Sequence, residues 1–135
     1  ELRTISFSAD QSALELGAMV TNTQVIASSE VEVARPILAE VAATIADVQI
    51  RNRGTVGGNV CVNDPTNHYP PLLVALGASF TIRGTAGERV LSADDFFVGD
   101  GDEYFGARLS DDAEGIVIAA AQALPRIGCG HDRGA

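Results

Sequence analysis

Between Asp47 and Asn67 the hydrophobic period carried by the preceding residues stops, and glycine, asparagine and other turn formers crowd in. A structureless stretch of that length inside a compact domain is either functional or disordered, because its backbone polar groups need partners that regular structure does not supply. This break divides the regular elements of the chain into two groups and sets the frame for reading both.

Ahead of the break, Leu2 to Phe7 and Ala13 to Ala18 are short and partly alternating, the pattern of two antiparallel strands joined around Ala9-Asp10-Gln11. A short helix is expected to begin at Thr21 or Asn22. A clearer helix is predicted from about Ala34 to Ala46, with Pro36 in its first turn and Ile37, Val41 and Ile45 on the face that packs on the sheet. Beyond the break, Pro70-Pro71 opens a helix through Leu76 that Gly77 closes. Strands near 79–83 and 88–91 turn at Gly84-Thr85-Ala86-Gly87, and Ser92 with Asp95 marks a turn of helix carrying Phe96 and Phe97. The segment from Gly115 to Leu124 reads equally as strand or helix. The fold class that follows is α+β: one unit over residues 1–124, with a small antiparallel sheet from strands near 2–7, 13–18, 79–83 and 88–91 and helices packed on it. Residues 125–135 read as a disordered tail.

Composition narrows the function. The chain has 135 residues, 46% of them hydrophobic, enough for one real core. Its formal charge is -9, with no lysine and nine arginines, a field that repels phosphate backbones and anionic membrane surfaces. Nucleic acid and membrane are therefore disfavoured as partners. No run of about 18 apolar residues occurs. The opening Glu1-Leu2-Arg3 looks neither like a signal peptide nor like a natural initiator, so a trimmed cytoplasmic protein is expected. Cys61 and Cys129 are too few for a disulfide framework or a four-ligand metal site and are read as reduced thiols. Residues 94–114 hold eight acids and one arginine, a solvated face; Asp100-Gly101-Asp102-Glu103 lacks the spacing of an EF-hand loop. Two histidines, His68 and His131, support neither a Ser-His-Asp set nor a three-ligand zinc site, so no catalytic or metal-ligating residue is assigned.

The informative run is Gln49-Ile50-Arg51-Asn52-Arg53-Gly54-Thr55-Val56-Gly57-Gly58-Asn59. Gly57 and Gly58 remove side chains where backbone N–H groups would approach an anion or a flat ring, and Thr55 and Asn59 place hydrogen-bonding groups at the two edges. Such a nest suits a pyrophosphate or the sugar-like chain of a cofactor, although a Gly-Gly pair is also an ordinary turn. It is neither a G-x-G-x-x-G fingerprint nor a Walker loop. Arg51 and Arg53 are open to two uses, as anion contacts or as ion-pair partners.

With Asp64-Pro65 and Pro71-Leu72-Leu73-Val74-Ala75-Leu76-Gly77-Ala78 following, and with Leu16-Gly17-Ala18, Gly87-Glu88-Arg89 and Asp95-Phe96-Phe97-Val98-Gly99 in order, this run resembles the medium, FAD-binding subunit of molybdenum hydroxylases, the carbon monoxide dehydrogenase and xanthine dehydrogenase family. The likeness covers roughly Leu2 to Gly99 and corresponds to the second of two FAD-binding subdomains. It implies FAD as cofactor, electron transfer to flavin as function, and partner subunits carrying molybdenum and iron–sulfur clusters. Carried onto this chain, it implies cofactor-binding roles for Thr55, Val56, Gly57, Gly58 and Asn59, for Asp64 and His68, and for Ile45 at the end of the preceding helix.

Three departures matter. The family's other glycine-rich FAD loop lies in an N-terminal subdomain outside this sequence, so weak or absent FAD binding by the isolated chain is expected. Where many relatives place an aspartate, this chain has His68, whose imidazole donates as well as accepts and changes charge between about pH 5 and 8, with Asp64 expected to favour its protonated form. After Gly99 the likeness decays. The alternative is a truncated module that holds no FAD and serves as an oligomerising or ligand-binding domain; on either reading an apolar face stripped of its neighbour is expected to form a homodimer.

Overall fold

In the computed structural model, residues 2–64, 66–97 and 113–120 are described, the last stretch by its backbone and the Ile118 side chain alone. The acidic segment beyond Phe97, including Asp100 to Glu103, and the tail with Cys129 and His131 lie outside the described residues.

The expected hairpins form. β1 (Ile5–Phe7) pairs with β2 (Leu14–Gly17), and β3 (Ser79–Gly84) pairs with β4 (Gly87–Ser92) around the two-residue Thr85-Ala86 connection. The ambiguous segment resolves as a strand, β5 (Ala113–Ala120), which lies between the hairpins and joins them into one sheet of order β1-β2-β5-β3-β4. Every pairing is antiparallel. The register runs one apolar row across the full width of the sheet, Ile5, Leu16, Ile118, Phe80 and Leu91. Because side chains alternate along each strand, this row and its neighbours Leu14 and Ile82 face the core together. The sequence reading assigned only four of the five strands and missed the central one, since an apolar run of this length carries no decisive period.

The helix predicted over 34–46 forms as Pro36–Thr44, two residues shorter at each end, with separate short helices ahead of it. α1 (Asn22–Ala27) starts from Thr21, whose side chain and that of Gln24 complete a reciprocal capping box. α2 (Ser29–Ala34) ends at Arg35, with φ −151°, because the residue before a proline is pushed out of the helical region; Pro36 then begins α3 (Pro36–Thr44). The buried face of α3 is Leu38, Ala42 and the following Ile45, while Ile37 is exposed, one residue out of phase with the expected stripe. The main neighbours of α3 are α1 and α2 rather than the sheet.

The long loop is likewise corrected. α4 (Val48–Arg53) is capped by Asp47, which accepts from the Ile50 N–H at 2.9 Å, and α5 (Val56–Val62) is capped by Thr55. Both are too short for a hydrophobic period to show, and each owes its start to a side-chain cap. Asn63 closes α5 in the left-handed region at φ +51°. α6 (Tyr69–Ala75) carries the expected prolines in its first turn and ends before Gly77 at φ +61°. α7 (Ala93–Phe96) starts from the Ser92 cap as expected. Phe80, Phe96 and Phe97 gather where α7 meets the sheet, with the Phe80 and Phe96 rings stacked at 4.1 Å. Among the described residues no helix is long and apolar enough to cross a membrane.

Candidate functional site

α5 enters its site from β2. The Val56 N–H donates to the Val20 carbonyl and the Gly57 N–H to the Ala18 carbonyl, each at 2.9 Å, and Thr21 and Thr55 form a single antiparallel bridge. This close approach explains one glycine. A Cβ on Gly57 would lie 2.5 Å from the Ala18 Cβ and 2.6 Å from its carbonyl oxygen, so only hydrogen fits. Gly58 is different: it is exposed, and a Cβ there would meet only the Thr55 Oγ1, at 3.0 Å. Its N–H donates to that same Oγ1 at 3.1 Å, and the Asn59 N–H donates to the Thr55 carbonyl.

The N–H groups expected to form an anion nest are thus already bonded within the protein. What the run presents instead are side chains. Thr55 Oγ1 accepts from Gly58 and keeps its own proton to donate. The Asn59 Oδ1 is buried with no hydrogen-bond partner among the described residues, an arrangement that leaves an acceptor stripped of water and unsatisfied. Val56 lies in the core, and so does Ile45, which the structure uses as core packing and not as an exposed wall.

The turn ahead of α6 stands beside α5. Asp64 Oδ1 accepts from the Thr66 N–H at 2.8 Å and from its hydroxyl at 2.7 Å, and these two bonds hold the carboxyl below its usual range. One oxygen of the carboxylate is therefore engaged with Thr66. The Asn67 side-chain amide donates to the Asn59 carbonyl at 3.3 Å and ties the turn to α5. His68 follows, exposed, at the N-cap of α6 and making no side-chain capping bond.

Arg51 has a use that the sequence did not suggest: its Nη1 donates to the carbonyls of Ile45 and Ala46, at 2.9 and 2.8 Å, satisfying the end of α3 where Ala46 takes φ +44°. Arg53 is exposed. Cys61 is a free, half-buried thiol whose pKa is raised by burial. Among the described residues no group of three His, Cys, Asp or Glu side chains gathers as a metal site would require.

Sequence reasoning missed Asn22 and Tyr69. Asn22 is the one buried polar residue among the described residues, its N–H donating to the Gly54 carbonyl at 3.1 Å and its Oδ1 accepting from the Tyr69 hydroxyl at 3.0 Å. Burial pushes the Tyr69 phenol well above its usual pKa. The sign follows from which state loses the proton first. Below about pH 10 folded and unfolded chains both keep it; above, the unfolded chain releases it while the folded one holds it, so stability falls as pH rises, by up to about 1.4 kcal/mol per unit. Urea unfolding at pH 9 and pH 11 is expected to show this loss in wild type and a smaller one in Tyr69→Phe. Equal losses would assign the effect to other groups.

A small antiparallel sheet with helices packed on it and a Thr-x-Gly-Gly-Asn helix start is the arrangement to be set against known proteins, and they place it in a family. Residues 1–124 match the family model described as the FAD binding domain in molybdopterin dehydrogenase, and the chain belongs to that family. It is 43% identical over 88 residues to the carbon monoxide dehydrogenase medium chain of Hydrogenophaga pseudoflava, covering 65% of this chain and 31% of that one. It is 34% identical over 101 residues to the xanthine dehydrogenase FAD-binding subunit of Escherichia coli O157:H7, covering 75% of this chain and 34% of the relative. Among solved structures, carbon monoxide dehydrogenase from Hydrogenophaga pseudoflava superposes with a TM-score of 0.82 at 36% identity, covering 92% of this chain and 41% of that one. Quinoline 2-oxidoreductase from Pseudomonas putida 86 gives 0.82 at 35%, with 91% and 41% covered. The chain spans about a third of the length of these curated relatives.

Proposed function

We propose that this chain supplies half of an FAD site and works as the FAD-binding component of a molybdenum hydroxylase-type oxidoreductase, with substrate oxidised on partner subunits that carry molybdenum and iron–sulfur clusters. The observation that carries this reading is the buried Asn59 Oδ1, without a hydrogen-bond partner among the described residues. A buried acceptor is costly unless something donates to it, and a hydroxyl-rich cofactor chain does so. The residues present therefore fit the cofactor, through side chains rather than through a backbone nest. When bound, the flavin supplies a two-electron carrier.

The protein's own residues divide the work. Thr55 donates and Asn59 accepts. Gly58 carries no side chain to crowd the Thr55 hydroxyl, and Gly57 lets α5 sit against Ala18 after β2. Val56 anchors the run in the core, and Ile45 packs in the same core at the end of α3. Asp64 shapes the turn through Thr66, and His68 borders the site from that turn. An N-terminal flavin subdomain, on the same or a separate chain, completes the enclosure.

Flavin fluorescence titration tests the reading. The isolated chain is expected to bind FAD weakly, since half the contacts are missing while the full entropic cost of association remains. Thr55→Ala and Asn59→Ala are each expected to weaken binding about tenfold. Binding indifferent to both Thr55→Ala and Asn59→Ala would reject the site. A second reading, a homodimerising module without FAD, is favoured by the exposure of Val33 (81%) and Val48 (62%). Gel filtration of the same samples separates the two: a colourless dimer supports the module.

A further inference from the structure

Two segments meet at the proposed site, the Thr55 to Asn59 run and the turn from Asp64 to His68, and one buried side-chain pair touches the approach to both. Asn22 sits at the first position of α1, immediately after Thr21, which bridges to Thr55. Its backbone N–H holds the Gly54 carbonyl, and its side chain lies so close that a Cβ on Gly54 would come within 3.2 Å of the Asn22 Nδ2. Thr23 Oγ1 adds a bond to Asn52 Oδ1 at 2.6 Å, so the start of α1 grips the end of α4 at two points. From the other direction, Tyr69 begins α6 directly after His68, is fully buried, and donates its hydroxyl to Asn22 Oδ1.

We propose that Asn22 and Tyr69 form a buried strut that fixes the spacing between the Thr55 to Asn59 run and the Asp64 to His68 turn, making them positioning residues of the flavin site. The functional half of this inference rests on the flavin reading; the mechanical half does not. A single hydrogen bond between two buried neutral groups is a poor way to gain stability, since apolar groups of the same shape do as well. It is a good way to fix geometry, because it is directional and tolerates only one separation. An apolar pair filling the same volume packs without that constraint.

The difference is testable in the full 135-residue chain with two variants. Tyr69→Phe leaves the Asn22 Oδ1 buried without its partner and is expected to lower stability. Asn22→Leu with Tyr69→Phe removes both polar groups and is expected to recover most of that loss. Amide hydrogen exchange then reads the geometry. Exchange at Gly54, Val56, Gly57 and Gly58 is expected to quicken at least tenfold relative to Phe80 and Ile82 in both variants, including the restabilised one. FAD affinity, read by fluorescence, is expected to fall severalfold in both. Recovery of slow exchange together with stability in the double variant would overturn the strut, leaving the pair as ordinary core. Quickened exchange in both variants with FAD affinity unchanged would keep the strut and reject its link to the flavin site.

Discussion

Gly57→Ala is expected to destabilise the fold by at least about 2 kcal/mol, lowering the urea midpoint sharply with little change in slope. The added methyl group would meet the Ala18 Cβ at 2.5 Å and the Ala18 carbonyl at 2.6 Å. Neither is the tip of a flexible side chain, so relief requires α5 to back away from β2. That retreat would stretch the Gly57 N–H bond to Ala18 and the Val56 N–H bond to Val20, both now 2.9 Å, and leave buried carbonyls unpaired. Gly58→Ala provides the control. Its Cβ would touch only the Thr55 Oγ1 at 3.0 Å, so the fold is expected to lose less than about 1 kcal/mol while the cap loosens. If the two substitutions cost the same, α5 does not seat on β2 as closely as described.

Phe80→Ala is expected to cost about 3–5 kcal/mol, the largest single loss among core truncations here. Phe80 is fully buried on β3, stacks on Phe96 at 4.1 Å and takes the edge contact of Phe97 at 5.5 Å. Its removal opens a void between the sheet and α7, a helix of only four residues that depends on its packing to hold its place. Phe80→Leu keeps most of the volume, loses the ring pairing, and is expected to cost about 1–2 kcal/mol. Urea unfolding of the pair measures both, and a Phe80→Ala loss near that of Phe80→Leu would mean that the site collapses around the smaller side chain.

Features with a local cause were legible in the sequence. The β3–β4 turn followed from its flanking glycines, α6 from its prolines and Gly77, and α7 from Ser92. The family and its Thr-x-Gly-Gly-Asn run were legible for the same reason: they are contiguous. Features set by tertiary contact were not. α4 and α5 hid in an apparent loop because helices of six and seven residues carry too little period, although Asp47 and Thr55 were caps in plain view. The helix predicted from 34 starts at Pro36 instead, because Arg35 precedes a proline and is pushed out of the helical region. Gly57 was read as room for a ligand when it is room for Ala18, a residue 39 positions away that no spacing rule connects to it. Asn22 and Tyr69, 47 residues apart, gave no pattern at all.

The position of β5 bears on how the chain reaches this structure as it leaves the ribosome. Leu16 finds its partner Ile118 only after roughly a hundred further residues have been made, and Phe80 waits for the same strand. Until then each hairpin has an open inner edge with its hydrogen-bonding groups bare, a template for pairing with a neighbouring nascent chain. Contacts this distant in sequence form slowly, because loop closure must precede any gain from burial. Synthesis thus has a vulnerable interval that ends abruptly when residues 113–120 emerge, and a chain stopped short of them would be left as two sticky half-sheets.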